Sequence, residues 1–283
     1  MSELKHELGE LMRVTGAYLE SLRDSGIDEV GWDPAVVRAH ASALVQAPVR
    51  ARAPASAHVQ APVREAAPAH APAPALADPR PKLSSEERRG RLAVLAEEVA
   101  SCTRCRLHET RNKTAFARGN PDSELVFIGE GPGTQEDLQG EPFVGPAGQL
   151  LDKMISAMGY ARDDVYIMNA VKCRPSEPND PKKDRKPDPA EMAACRPFFE
   201  RQLELVEPKV MVALGATAMQ AITGATVGIS RMRGTWRLYK GRTPLMPTFH
   251  PAYLLREPDK KREVWDDLKQ VMQRLGKALP PKG

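Results

Sequence analysis

Four cysteines are the side chains of this sequence that are best suited to binding a metal. Cys102 and Cys105 are separated by two residues, whereas Cys173 and Cys195 each stand alone further along the chain. A zinc knuckle or ribbon usually has two close pairs, and only one is present here. Four thiolates suit a [4Fe–4S] cluster as well as a zinc ion. The spacing therefore predicts a metal site, leaves the metal open, and has four unrelated buried cysteines as its simpler alternative.

A glycine-rich loop, GEGPGTQED, follows the first predicted strand. Gly129, Gly131 and Gly133 let the backbone approach a ligand closely, and exposed N–H groups can bind carbonyl or anionic oxygens. The loop lacks the Gly-Lys-Ser/Thr of a P-loop, and Thr134 stands where the dinucleotide-binding pattern requires its last glycine. A small planar ligand fits better. Glu130 could orient or deprotonate a water molecule there, unless it only caps a helix or faces solvent.

Three other side chains are candidates for binding such a ligand. Asn169 follows the second predicted strand, and its amide offers the donor and acceptor that the edge of a nucleobase also alternates. His250 follows the last predicted strand and precedes Pro251, which suits a first helical turn. Phe143 is a candidate stacking platform. The simpler alternatives are a turn-forming asparagine, a structural histidine and a core phenylalanine.

Short apolar runs alternate with helical patterns from about residue 84 onwards. ELVFIGE, DVYIMNAVKC and KVMVALG read as strands, and TWRLYKGRTPLMPTFH reads as a hairpin or two short strands. SSEERRGRLAVLAEEVASC begins with a Ser-x-x-Glu capping box and reads as a helix. This alternation predicts a three-layer α/β/α fold with a mostly parallel central sheet of about four strands. In such sheets, sites form at the C-terminal ends of the strands.

Composition divides the chain into three regions. Residues 1–33 are predicted to form an amphipathic helix, which could bind a partner protein, fold back on its own chain or stand alone with marginal stability. Residues 34–83 are rich in alanine and proline and are predicted to be a disordered linker. Residues 84–283 are predicted to form one catalytic domain of ordinary size.

Several classes of protein are excluded by composition. The chain has no run of about 18 apolar residues, so no membrane span is expected. The beginning of the sequence, MSELKHELGELMR, is charged and lacks the apolar core of a secretory signal, so a cytoplasmic protein is expected. The net charge of +4 permits an acidic partner such as nucleic acid but does not require one.

Four segments and the four cysteines together carry a resemblance to a known family. The segments are GEGPGTQED, GEPFVGPAGQLLDKM, NAVKCRP and FHPAYLLR. From about residue 90 to 275, the chain resembles the iron–sulfur family-4 uracil-DNA glycosylases. The resemblance implies the fold of that family. It also implies a monofunctional hydrolase that removes uracil from DNA in base excision repair and leaves an abasic site.

The resemblance also implies roles for individual residues. The implied ligands of a structural [4Fe–4S] cluster are Cys102, Cys105, Cys173 and Cys195. The implied uracil-binding residues are Gly129, Gly131, Pro132, Gly133, Phe143 and Asn169. The implied catalytic residues are Glu130, which would position the attacking water, and His250, which would lie near the uracil O2.

These roles agree with the chemistry of base removal. Uracil must leave the base stack before its sugar bond can be reached, and stacking on an aromatic ring contributes about 1–3 kcal/mol per base. As the bond breaks, negative charge grows on the uracil, which backbone N–H groups and His250 can stabilise. An Asn169 amide oriented for uracil would reject cytosine. Crowding of C5 by Phe143 or a neighbour would reject thymine.

Contacts with DNA are predicted from basic segments and from the last motif. Arg233 and Arg256 are expected to contact phosphates, which would make binding sensitive to salt. Leu254, in preference to Tyr253, is expected to fill the vacated position in the base stack. The tract PNDPKKDRKPDP is expected to be a loop near the DNA. The DNA could be single- or double-stranded, and the catalytic domain is expected to be monomeric.

There are three alternatives to a monofunctional glycosylase. A related enzyme that captures DNA covalently needs a histidine after Cys173, and residues 174–194 contain none. A non-catalytic iron–sulfur module that binds DNA would not need Glu130, Phe143, Asn169 and His250 together. Zinc in place of an iron–sulfur cluster is the third alternative.

Overall fold

The computed structural model describes residues 83–177 and 180–279. The predicted N-terminal helix (1–33), and the predicted linker as far as residue 82, lie outside the described residues. No helix in the described part of the chain is long and apolar enough to cross a membrane.

The described residues form a regular alternation of strands and helices. The strands are β1 (Arg118–Gly119), β2 (Leu125–Gly129), β3 (Tyr166–Asn169), β4 (Ser176–Glu177), β5 (Asp180–Asp184), β6 (Val210–Leu214), β7 (Arg237–Tyr239) and β8 (Thr243–Thr248). The helices are α1 (Ser85–Ala100), α2 (Thr134–Gln139), α3 (Pro146–Ala157), α4 (Pro189–Val206), α5 (Ala216–Thr223), α6 (Ile229–Met232), α7 (Pro251–Arg256) and α8 (Lys261–Arg274). Short 3-10 helices occupy Arg106–Glu109, Arg162–Asp164 and Pro258–Lys260.

Local sequence explains where the first helix begins. The Ser84 hydroxyl accepts a hydrogen bond from the Glu87 N–H (3.2 Å), and the Glu87 carboxylate accepts one from the Ser84 N–H (3.0 Å). This is the predicted capping box, which satisfies two backbone donors that the first turn leaves free. Asp188 and Glu191 form the same arrangement at the start of α4.

Six of the strands form one sheet in the order β1-β3-β2-β6-β8-β7. The four central strands are parallel, and β1 and β7 pair antiparallel with the two edges. The predicted α/β class with a mostly parallel central sheet is confirmed. The predicted hairpin corresponds to β7 and β8. The additional strand β1 was not predicted, because two residues are too few to show a periodic pattern.

Both faces of the sheet are covered by helices. On β2, Leu125 and Phe127 point into the apolar cluster formed with α3, α7 and α8. Val126 and Ile128 point into the opposite cluster, formed with α1, α4, α5 and α6. Because successive strand side chains point to opposite faces, a strand buried on both faces reads as a continuous apolar run. The result is the three-layer architecture expected from the sequence.

The tract between the last two cysteines differs from the prediction. It was expected to be a loop, but β4 and β5 pair antiparallel within it as a small separate sheet. The Arg174 guanidinium donates to the Asp184 carboxylate (2.6 Å) across this hairpin. Proline, lysine and aspartate are poor strand formers, so the local sequence gave no signal for it.

Candidate active site

A cavity of about 970 Å³ lies at the carboxyl edge of the central sheet. Among the residues that line it are Glu130, Asn169, Gly215 and His250, which end or follow within two residues the strands β2, β3, β6 and β8. Parallel strands bring their carboxyl ends to one edge, so residues far apart in the sequence meet there. The structure therefore brings together the glycine-rich loop and the three side chains predicted to bind a planar ligand.

Gly129 lies beneath the cavity, between two of these side chains. A Cβ atom on Gly129 would lie 2.4 Å from Asn169 Oδ1 and 2.4 Å from Phe143 Cζ. Real side chains do not tolerate such distances, so only glycine lets both groups approach the strand end. Gly131, Pro132 and Gly133 follow and line the cavity wall itself.

Phe143 is held in an uncommon backbone conformation. Its φ of 58° falls in the left-handed region, which is unusual for a bulky residue. A Cβ on Gly148 would lie 1.8 Å from the Phe143 carbonyl oxygen, so helix α3 packs directly against the backbone of Phe143. Arg162 also donates a hydrogen bond to that oxygen (2.6 Å). These contacts fix the Phe143 ring at the cavity, stacked on His250 with 5.7 Å between ring centres.

Asn169 presents a buried acceptor without a partner. Its side chain lines the cavity and is only 1% exposed. Asn169 Oδ1 has no hydrogen-bond partner among the described residues. A buried polar atom left unpaired is costly, and such atoms are rare in folded proteins. The amide is therefore complementary to a ligand that brings its own hydrogen-bond donor into the cavity.

His250 is a neutral imidazole in this site. Its Nδ1 accepts a hydrogen bond from the Ala252 N–H (3.1 Å), so it caps helix α7. Burial, together with the positive charge of the Arg256 guanidinium, lowers the pKa of His250 to about 4. Because Nδ1 is the acceptor, the single proton of the neutral ring is on Nε2. His250 is therefore an uncharged N–H donor at the edge of the cavity.

Glu130 is a carboxyl group with an altered proton affinity. Burial raises the pKa of Glu130, while a hydrogen bond with Thr217 and the positive charge of Lys186 lower it. Both Thr217 and Lys186 also line the cavity. A carboxylate whose pKa is raised is a better proton acceptor, which is the property that a general base needs.

Glu136 organises the cavity wall and was missed by the sequence reasoning. This buried carboxylate on α2 accepts hydrogen bonds from the N–H groups of Gly133 (3.2 Å), Val144 (2.9 Å) and Gly145 (2.8 Å). It thereby ties the glycine-rich loop to the segment that carries Phe143. The signal in the sequence is an acidic residue three positions after Gly133. An acidic residue at that position is also favoured simply because it lies in the first turn of a helix.

The four cysteines lie near one another on one side of the sheet. Cys102 and Cys105 follow α1, Cys173 follows β3, and Cys195 lies in α4. Burial raises the pKa of Cys105, Cys173 and Cys195, and in each case nearby thiols raise it further. All four are free of disulfide bonds. Four unpaired thiols are thus gathered from three separate parts of the chain.

A positively charged group accompanies the thiols. Arg111 donates to the Cys102 carbonyl (2.7 Å) and lies 3.4 Å from Cys173 Sγ. Within residues 83–177 and 180–279, no group of three or more His, Cys, Asp or Glu side chains is arranged to hold a metal ion. The set of soft thiol donors nevertheless fits a metal that prefers sulfur.

The structure contradicts the predicted DNA contact of Arg233. Its guanidinium donates to both Asp267 carboxylate oxygens (2.7 and 3.1 Å) and also pairs with the Glu263 carboxylate. Asp267 in turn accepts from the Thr248 hydroxyl (2.6 Å) at the end of β8. Arg233 therefore anchors the strand that precedes His250, and its charge is already neutralised by carboxylates.

Leu254 is also wrong as the predicted wedge. It is 1% exposed and belongs to the apolar cluster beneath α7. Its neighbour Leu255 is 48% exposed, because one residue turns a helical side chain by about 100°. Arg256 is exposed and lines the cavity, in a position compatible with its predicted phosphate contact.

Comparison with known proteins identifies the family. Residues 116–269 match the profile of the Uracil DNA glycosylase superfamily. The type-4 uracil-DNA glycosylase of Thermotoga maritima is 44% identical over 183 residues, which cover 64% of this chain and 92% of that protein. The type-4 uracil-DNA glycosylase of Archaeoglobus fulgidus is 39% identical over 195 residues, covering 66% of this chain and 94% of that protein.

The chain belongs to the type-4 uracil-DNA glycosylases. A third relative with this name, from Saccharolobus solfataricus, is 36% identical over 192 residues and is matched over 86% of its length. The resemblance drawn from the four motifs is thus confirmed, and so is the expected class of enzyme. The matched region contains the glycine-rich loop, Phe143, Asn169 and His250, so the cavity is the candidate active site of this glycosylase-family chain.

The protonation of His250 gives a testable pH dependence. In the unfolded chain, His250 takes up a proton near its ordinary pKa of 6.5, whereas in the fold it does so only near 4. The unfolded state therefore binds more protons between these values, and stability falls as the pH drops through that window. We expect the wild type to lose free energy of unfolding relative to His250→Gln between about pH 6.5 and 4, measured by urea denaturation. A difference that stays constant over this range would contradict a neutral His250.

Replacing Glu136 tests how the cavity wall is held. Glu136→Gln keeps the shape of the side chain but removes its charge and one acceptor oxygen. We expect the free energy of unfolding to fall by about 1–3 kcal/mol, as for other hydrogen bonds to charged groups. The amides of Gly133, Val144 and Gly145 should exchange their hydrogens faster. Leu138→Ala, at an exposed position of the same helix, is the control; equal exchange in both variants would refute the role of Glu136.

Proposed function

We propose that this chain removes uracil from DNA by hydrolysing the bond between the base and its sugar, which leaves an abasic site for base excision repair. The observation that carries the proposal is the buried, unpaired Asn169 Oδ1 in a cavity that also holds Phe143 and the neutral His250. The names of the relatives support the same substrate.

Asn169 supplies recognition of the base. The N3–H of uracil donates to Asn169 Oδ1, and the uracil O4 accepts from the amide NH₂. Cytosine has an acceptor at N3 and an amino group at C4, so both contacts become repulsive. Because Asn169 is buried, water cannot replace the lost hydrogen bonds. Binding of cytosine would therefore leave buried polar groups unpaired, which weakens its binding.

Phe143 supplies the stacking surface for the flipped base. Stacked planes lie about 3.4 Å apart, so a base held between two rings needs about 7 Å. The separation of 5.7 Å between the Phe143 and His250 rings is shorter than that. The uracil therefore stacks on Phe143 alone and meets His250 with its edge. Stacking and burial together offset the cost of taking the base out of the helix.

The chemistry is a displacement at the sugar C1′. The bond between C1′ and the uracil N1 breaks, and its electron pair leaves with the base. The Nε2–H of His250 donates to the uracil O2, where negative charge develops, and N–H groups of the glycine-rich loop add to this stabilisation. Glu130 orients a water molecule toward C1′ and accepts its proton as the new C–O bond forms. The raised pKa of Glu130 favours this transfer.

The rim of the cavity supplies contacts with DNA. Arg256 and Lys186 are exposed cations that line the cavity, and they are placed to bind phosphates on either side of the flipped nucleotide. Leu255, the exposed neighbour of Leu254, is the apolar side chain available to enter the vacated stack.

The four cysteines are the ligands that we propose for a [4Fe–4S] cluster. Support comes from the four free, neighbouring thiols and from Arg111, whose charge complements an anionic cluster. When bound, the cluster supplies a crosslink between the end of α1, the end of β3 and helix α4. Its role in this proposal is structural, because the displacement at C1′ involves no electron transfer.

Excision of uracil is tested with an oligonucleotide that contains one uracil, followed by alkali to cut any abasic site. We expect strand scission with uracil and none with thymine at the same position. Glu130→Gln should lower the rate about 10²–10⁴-fold, the usual contribution of a general base. Glu141→Gln, an exposed glutamate outside the cavity lining, is the matched control. Protein that binds this DNA and never cuts it would instead be a non-catalytic binding module.

The metal is tested by chemical analysis of protein purified without oxygen. We expect about four iron atoms and four acid-labile sulfides per chain, as a [4Fe–4S] cluster contains. Cys195→Ser should lose the iron and lower the melting temperature. Ser101→Ala, beside Cys102, should change neither. Zinc at one atom per chain, with no labile sulfide, would refute the cluster and establish the alternative metal.

A further inference from the structure

Lys172 is a fully buried lysine that the proposed chemistry does not use. It is 1% exposed and directly precedes Cys173. Its Nζ donates to the Asn169 carbonyl (2.8 Å), the Gln202 side-chain oxygen (2.5 Å) and the Phe116 carbonyl (3.3 Å). All three acceptors are neutral, and no ion pair joins Lys172 to a described carboxylate. Burying an amine away from water costs free energy that its hydrogen bonds must offset, so the presence of a lysine here needs a reason.

The contacts of Lys172 reach the active site. Asn169 is the last residue of β3, and its carbonyl is the group that Lys172 holds. Gln202, itself completely buried, donates to the Tyr166 hydroxyl (2.7 Å) at the start of the same strand and to the Phe116 carbonyl (3.2 Å). The Lys172 amine is thus held in a rigid polar frame. Any shift of Lys172 moves the strand end that carries the base-recognising amide.

We propose that Lys172 is a positioning residue that clamps the end of β3 and so holds the Asn169 amide against the base. The proposal rests on the proposed uracil excision and adds to it a residue that orients the group recognising the base. It explains why a lysine, rather than an apolar residue, fills this core position.

A double-mutant cycle separates this role from a general effect on folding. Lys172→Met keeps the length of the side chain and removes its charge and donors. In the holoenzyme we expect it to lower kcat/KM on uracil-containing DNA about 10–100-fold, as is common for residues that orient a first shell. In an Asn169→Ala background the same change should cost less than about 2-fold, because residues that act through one contact are not additive. The same loss in both backgrounds would overturn the clamp.

A second readout does not depend on activity. The N–H groups of Ala170 and Val171, which follow Asn169, donate to the carbonyls of Gly129 (3.0 Å) and Glu130 (3.1 Å). Lys172→Met should let these two amides exchange their hydrogens faster than in the wild type, because the strand end is no longer held. Tyr166→Phe is the matched control, since it removes a buried hydroxyl from the same strand but leaves the contact between Lys172 and Asn169 in place, and it should speed this exchange less. Exchange at the wild-type rate in Lys172→Met would overturn the clamp.

Folding is monitored so that each outcome remains decisive. If Lys172→Met does not fold, Lys172→Gln replaces it in the cycle, because an amide donor still satisfies part of the buried acceptors. Wild-type holoenzyme that excises no uracil overturns the proposed function, and the hydrogen-exchange comparison then still tests the contact of Lys172 with the end of β3.

Discussion

Two side chains and a strand end meet at Gly129, and the site depends on how closely they approach. Gly129 has no Cβ atom, and this leaves room for Asn169 Oδ1 and the Phe143 ring. Each of these two groups lies 2.4 Å from the position that a Cβ on Gly129 would take. In the proposed function, Asn169 binds the edge of a planar base and Phe143 binds its face. With both fixed to the same point of the sheet, the ligand has little freedom in how it lies, which is how a site gains specificity before any chemistry occurs.

The site maintains several polar groups in environments that disfavour them. Asn169 has an unpaired buried oxygen, His250 is prevented from charging, and Glu130 holds its proton more tightly than usual. Such strain is stable only because the surrounding structure is rigid. The parallel strands, Glu136 and the interaction of Arg233 with Asp267 supply that rigidity. The same contacts therefore stabilise the sheet and hold the side chains of the site in place.

Much of this arrangement could be predicted from the sequence, and the failures have physical causes. Continuous apolar runs marked β2 and β6, because strands buried on both faces must be apolar throughout. The glycines, Asn169 and His250 followed strands, so topology placed them at one edge. Leu254 and Arg233 failed for a different reason. Packing between distant segments decides which residue of a short helix faces outward. It also decides whether an arginine already has carboxylate partners.

Gly148 shows how far the control of the cavity extends beyond its lining. It lies behind Phe143, on helix α3, and the three atoms nearest to a Cβ on Gly148 would be backbone atoms of Phe143. Even a methyl group there would displace Phe143, whose ring lines the cavity. The width of the cavity thus depends partly on Gly148, which does not line it. Divergence in substrate range among related chains can therefore originate in the helix behind the ring as readily as in the residues that contact the base.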